Sequence, residues 1–314
     1  MATSFLERDP RRSVLRQVRR WYPHLAAEVD TAQYGYMRES SGARVISNKL
    51  HDIVRYGNER VPDKRMLCPT TVLTHSIRVE ALALGLVKIC ESLPEHPQID
   101  VVKTVEMGRN HDKEEASPIG DITKNIKDAW TIEERAAHEE RVRRELIEIG
   151  KREYGLKIGT PQFIRYVAFI QEMMEKRTVE AQIVKIADLL DAVGEIMHEL
   201  RMGNTNYGEI LEEYKGTLSY APMRYPIWSA IRQHPSIGLA VMPQPEQLLS
   251  LPRLMPLDFG NIGEGRTRSR NFRKKVMEGD LPQFYKTWLT TTFLRFGPQA
   301  SQVLFPRWNL APLS

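Results

Sequence analysis

Seven apolar residues (Val179, Ile183, Ile186, Leu190, Val193, Met197 and Leu200) recur at helical spacing between Thr178 and Gly203. A stripe that long commits the segment to a helix with one face in a core. Thr178 stands where an N-cap is wanted, and Gly203 stands where a left-handed residue closes the last turn. The pattern predicts a core helix from Thr178 to Met202.

The same texture extends from about Ser47 to about Leu218, with few strand signals, no internal repeat and no low-complexity tract. Val72 to Ser92 carries Leu82, Leu86 and Ile89 at helical spacing and stops at Leu93-Pro94. Val101 to Asn110 forms a second, short helix. Thr131 to Tyr154 reads as a long charged helix with Ile132, Ala136 and Val142 on one side, ended by Gly155 and Gly159. Thr160-Pro161 opens another, since threonine caps and proline fits the first helical position. The expected fold class is all-α.

From about Ser219 prolines become frequent and oppose any long helix, yet Tyr220, Tyr225, Trp228, Phe284, Trp288, Phe305 and Trp308 supply apolar surface. This reads as a Pro- and aromatic-rich C-terminal extension packed on the helical part. The expected division is a basic N-terminal arm at 1–43, a helical domain at 44–218 and the extension at 219–314. The longest apolar run, Ala81 to Val87, is far too short to span a bilayer, and the arginine-rich start lacks the apolar stretch of a leader. Two cysteines, Cys68 and Cys90, argue against a disulfide framework and for a reducing, cytoplasmic setting.

A net charge of +5 favours anionic partners of any kind. Much of the excess sits in Arg11 to Arg20 and Arg266 to Lys275. The second cluster, with Phe272 inside it, could touch nucleic acid, but a solvated basic face that draws in small anions is the preferred reading. The glycine-rich stretch Gly260 to Gly265 neither follows a strand nor opens a helix, so it reads as a plain loop.

His-Asp dipeptides occur at His51-Asp52 and His111-Asp112. The first lies inside a helical stretch, where neighbours point about 100° apart, and reads as a solvated face. The second stands at a helix end, where the backbone can aim both side chains at one point. An imidazole and a carboxylate aimed together suit a first-row divalent ion.

The segment from His111-Asp112 through Glu115, Gly120-Asp121 and Lys127 resembles the second motif of the HD-domain phosphohydrolases, in particular the bacterial 5'-deoxynucleotidases. Arg55-Tyr56, Thr74-His75-Ser76, Glu133-Glu134, Lys185-Ile-Ala-Asp188-Leu-Leu-Asp-Ala192 and Gly203-Asn204 with Tyr207 agree in order, so the match covers about Ala43 to Leu218. The resemblance implies an HD-type helical bundle holding one divalent ion (cobalt, manganese, zinc, iron or magnesium) through His75, His111, Asp112 and Asp188. On sequence pattern alone, Asp188 shares a helix side with Asp191 and Glu195 and reads as a solvated carboxylate. The resemblance reverses that reading for Asp188.

The resemblance further implies that Glu115 positions the attacking water or donates a proton, and that Asp121 lies near the sugar 3'-hydroxyl and the phosphate. Arg55 matches a phosphate-binding arginine, Tyr56 stands where the family carries tryptophan, and Lys127 matches a family lysine. The expected substrate is a 2'-deoxynucleoside 5'-monophosphate, the alternatives being a deoxynucleoside triphosphate or a non-catalytic binding role. The expected assembly is a homo-oligomer, and nucleic acid is the less favoured partner. Two departures bear on sugar recognition: Thr74 replaces the usual glutamate, and one extra residue separates Glu115 from Gly120-Asp121.

Overall fold

The protein is described from a computed structural model at residues 17–25, 46, 49–55, 65–67, 70–234, 237, 243–251, 284, 285 and 288. Among these residues the architecture is helical, and the pairing between strands is confined to one antiparallel bridge, Val54 with Thr71. The core helices are α1 (Val72–Glu91), α2 (Val101–Asn110), α3 (Lys124–Asp128), α4 (Ile132–Tyr154), α5 (Pro161–Glu175), α6 (Val179–Arg201) and α7 (Tyr207–Arg224). Two short helices follow, α8 (Pro226–Ile231) and α9 (Pro245–Ser250).

Local chemistry sets the helix ends. Thr71, Asp100, Thr131, Thr160 and Thr178 each accept a backbone N–H from the first turn of the helix they precede. At α4 the cap is reciprocal, because Glu134 reaches back to the Thr131 N–H, so the Glu133-Glu134 motif includes a capping carboxylate. Gly155 closes α4 at φ +67°, a conformation that favours glycine.

Helix α6 runs through the centre, packed by α1, α2, α7, α8, α9 and α5. Ile183, Ile186, Leu190, Val193, Met197 and Leu200 are buried, as the stripe predicts. Its opposite side is buried as well: Asp191, Glu195 and Glu199 are at most 2 % exposed, which corrects the solvated reading of that side. The aligned core of α1, α2 and α6 brings the start of α1, the end of α2 and the middle of α6 together.

Three other expectations change. Ile132 is 82 % exposed, so the buried side of α4 is at its C-terminal end, at Leu146, Ile149 and Tyr154. Helix α7 continues through Pro222 to Arg224, because a proline in the last turn removes little of the hydrogen-bond ladder. Tyr220 is 71 % exposed, whereas Trp228, Phe284 and Trp288 are buried in the same apolar cluster as the helices. None of the described helices is long and apolar enough to cross a membrane. Tyr56, Cys68, Gly260 to Gly265, Arg266 to Lys275, Phe305, Trp308 and most of the N-terminal basic cluster lie outside the described residues.

Candidate metal centre

His75 sits in the first turn of α1 and is fully buried. The cap at Thr71 and the hydrogen bond from His75 N–H to the Thr71 carbonyl (3.0 Å) fix that turn. His111 is the C-cap of α2, and Asp112 leaves the helix with φ −119° and ψ 24°. The helix end therefore does what the sequence position suggests, turning two adjacent side chains toward one point.

Both imidazoles are oriented through their far nitrogens. His111 Nδ1–H donates to the Gly108 carbonyl at 2.9 Å, and His75 Nδ1–H donates to an Asp191 carboxylate oxygen at 2.6 Å. Each ring thereby presents Nε2 to the centre. His75 Nε2 lies 3.0 Å from His111 Nε2, and Asp112 Oδ2 lies 3.1 Å from each of them. His75, His111 and Asp112 form a donor group able to hold a metal ion.

The spacing fits that use. Ligand atoms about 2.1 Å from an ion and about 90° apart lie about 3.0 Å from each other. Two imidazole lone pairs and a carboxylate meeting at that distance call for positive charge between them. Burial and the charge of Arg55 lower the His75 pKa, but bonds to Asp112, Asp188 and Asp191 outweigh them and raise it well above the ordinary value.

Asp188, in the middle of α6, brings Oδ1 to 3.4 Å from His75 Nε2 and gives its other oxygen to Lys185 one turn earlier. It is 19 % exposed and borders the triad. Burial alone would raise its pKa, yet Lys185 first, and then His75 and His111, drive it well below the usual carboxylate range. The carboxylate is available as an anion beside the centre.

Behind His75 lies a charged network that sequence reasoning missed. Asp191 accepts Arg78 Nε at 2.6 Å and Arg78 Nη2 at 2.9 Å, and Arg78 also bonds Glu195. Thr70 donates its hydroxyl to Glu195 at 2.6 Å. Arg55 Nη1 stands 3.7 Å from Asp191 and 3.6 Å from Glu195. Its place comes from the bridge, in which Arg55 N–H donates to the Thr70 carbonyl at 2.8 Å. The available signal was the spacing itself: Asp188, Asp191 and Glu195 share one side of a helix whose other side is all core, so their burial demanded cationic partners.

On the other flank, Glu115 lies in the 3-10 turn Lys113–Ala116 and is 8 % exposed. Burial, with the charges of Asp112, Asp121 and Glu114, raises its pKa well above the ordinary value, although Arg55 opposes this. Gly120, at φ +66°, turns the chain so that the buried Asp121 follows it. Glu114, which the sequence reading did not single out, is pushed up to about 8 by burial and by Asp112. Lys127 is exposed on α3, and its charge reaches Glu114. His51-Asp52 sits apart, with Asp52 exposed, as expected of a solvated face.

A protein-family model described as 5'-deoxynucleotidase YfbR-like matches residues 47–225, more than half of the chain. Those residues contain His75, His111, Asp112, Asp188 and Glu115. No curated protein matches the sequence. Among solved structures, a conserved hypothetical protein from Pyrococcus furiosus is 24% identical over 60% of this chain and 97% of that one, with a TM-score of 0.44. On the family match, the chain belongs to the YfbR-like 5'-deoxynucleotidase family and thereby to the metal-dependent HD-type phosphohydrolases.

Proposed function

We propose that the chain hydrolyses 2'-deoxynucleoside 5'-monophosphates to the deoxynucleoside and inorganic phosphate, with His75, His111, Asp112 and Asp188 holding one divalent ion. The observation that carries this reading is the triangle of donor atoms 3.0–3.1 Å apart, made by His75, His111 and Asp112, beside the buried Glu115. A divalent ion bound there would supply a water with its pKa lowered toward about 7 and would offset charge on the phosphate.

The chain's own residues then have separate tasks. In hydrolysis a water oxygen bonds to phosphorus and the P–O5' bond breaks, so the departing 5'-oxygen needs a proton. Glu115 gives that proton, a role supported by its raised pKa. Arg55, which stands beside Asp191 and Glu195, offers positive charge to the phosphate. Asp121 orients the sugar through its 3'-hydroxyl, and Lys127 contributes charge at the rim. The setting of this activity is cytoplasmic, and the working unit is a homo-oligomer.

Product analysis tests the reading. With manganese or cobalt present, dAMP should yield deoxyadenosine and phosphate. Release of tripolyphosphate from dATP would replace it with a triphosphohydrolase, and the absence of any product across a nucleotide panel would reject catalysis.

A further inference from the structure

Asp191 has its acceptor positions filled by donors from three directions. One oxygen takes Arg78 Nε at 2.6 Å and Trp288 Nε1 at 2.8 Å; the other takes His75 Nδ1 at 2.6 Å and Arg78 Nη2 at 2.9 Å. A carboxylate has about four lone-pair sites, so this one is saturated. It cannot turn without breaking a bond.

Trp288 is the unexpected member of this set. It lies well beyond residues 47–225, the span that the family model matches. Its ring is 2 % exposed, lies 4.8 Å from the Arg78 guanidinium carbon, stacks on the buried Tyr285 at 5.8 Å and faces His198 at 5.7 Å. Helix α6 makes room for it: a Cβ on Gly194 would stand 2.5 Å from the Trp288 ring, closer than side chains tolerate. Glycine inside a helix costs about 1 kcal/mol against alanine, and here the missing Cβ admits an indole.

We propose that Trp288 is a positioning residue of the metal centre, locking the Asp191 carboxylate and, through it, the His75 ring that presents Nε2 to the ion. The inference rests on the reading of His75, His111 and Asp112 as metal ligands. It adds that a segment outside the family-matched region completes the support of the centre. Groups that orient a ligand from behind typically set metal affinity within about 10- to 100-fold, and one donor of four should carry the lower end of that range.

The experiment is titration of the full-length, metal-free protein with Mn2+ by calorimetry, with melting temperature and secondary structure measured alongside. Trp288→Phe keeps an aromatic ring and removes the N–H. It should weaken Mn2+ binding about 5- to 10-fold, with kcat at saturating Mn2+ changed much less than the metal concentration needed to reach it. Gly194→Ala approaches the same contact from the helix side. It should also weaken Mn2+ binding, and it should add nothing in a Trp288→Ala background, because the two changes remove one interaction.

His111→Ala separates the two levels of interpretation. If it abolishes Mn2+ binding while folded Trp288→Phe and Gly194→Ala bind like the unaltered chain, the role given to Trp288 is overturned and the metal centre stands. If His111→Ala binds Mn2+ like the unaltered chain, the metal centre itself is overturned, and the Trp288 proposal goes with it.

Discussion

His75 and Asp191, 116 residues apart in sequence, meet with the imidazole Nδ1 2.6 Å from a carboxylate oxygen. This contact decides which nitrogen His75 presents to the centre. It joins the first turn of α1 to the middle of α6, and it places buried charge directly behind a candidate metal ligand.

Asp191→Asn tests that contact. An amide turned with its N–H toward Nδ1 would force the ring proton onto Nε2, the nitrogen facing His111 and Asp112. Mn2+ affinity should fall about 10- to 100-fold. Equal affinities by calorimetry for the Asn variant and the unaltered chain would show that His75 is oriented by other means.

Glu115→Gln keeps the size of the side chain and removes its transferable proton. Loss of a proton donor costs about 10²- to 10⁴-fold in rate. Steady-state kinetics on dAMP should show that loss in kcat, with Mn2+ affinity within a few-fold of the unaltered chain. An unchanged kcat would remove Glu115 from the chemistry.

Two buried groups outside the centre give stability opposite dependences on pH. His198 is held down to about 3, first by burial and then by Arg201 and Arg78. An unfolded chain takes up a proton on this histidine below about pH 6.5 and the folded chain does not, so stability falls as pH drops through that window. Glu106 is raised to about 8 by burial, against the pull of Arg109 and Lys113. Here the folded chain keeps a proton that the unfolded chain releases above about pH 4.3, so this contribution is present at low pH and is lost as pH rises toward 8.

Denaturant titrations should therefore show Glu106→Gln gaining stability relative to the unaltered chain between pH 5 and pH 8, by roughly 1 to 3 kcal/mol. His198→Gln should lose less stability than the unaltered chain between pH 6.5 and pH 5. Parallel pH profiles for variant and unaltered protein would contradict the assigned protonation states.

Metal removal should register in stability as well as in activity. An ion at about 100 times its Kd stabilises the folded state by about 2.7 kcal/mol. Scanning calorimetry should show a lower melting temperature with EDTA than with Mn2+ for the unaltered chain, and almost no difference for His111→Ala. A chelator effect of the same size in both would place the bound metal elsewhere.

Helix ends written in local chemistry were readable directly. Thr160 and Thr178 cap as their positions suggest, and Val101 to Asn110 matches α2. The centre was only half readable. His111-Asp112 gained meaning from its place at a helix end, whereas His75 and Asp188 came from resemblance, because periodicity carries no information about side chains meeting across the fold. For the same reason Asp191 and Glu195 looked solvated: their burial depends on Arg78, which reaches them from α1, more than 110 residues away. The exposed Ile132 misled in the other direction, since helical spacing says which residues share a side and not which turns of the helix reach the core.

The central claim is that His75, His111 and Asp112, with Asp188 beside them, hold one catalytic ion. Its most direct test is the number of Mn2+ ions bound per chain, measured by calorimetry on the metal-free protein and on His111→Ala and Asp188→Ala, with phosphate release from dAMP followed on the same samples. One ion per unaltered chain, with binding and phosphate release both lost in His111→Ala and Asp188→Ala, is the expected result. Full metal occupancy and full turnover in either variant would contradict it.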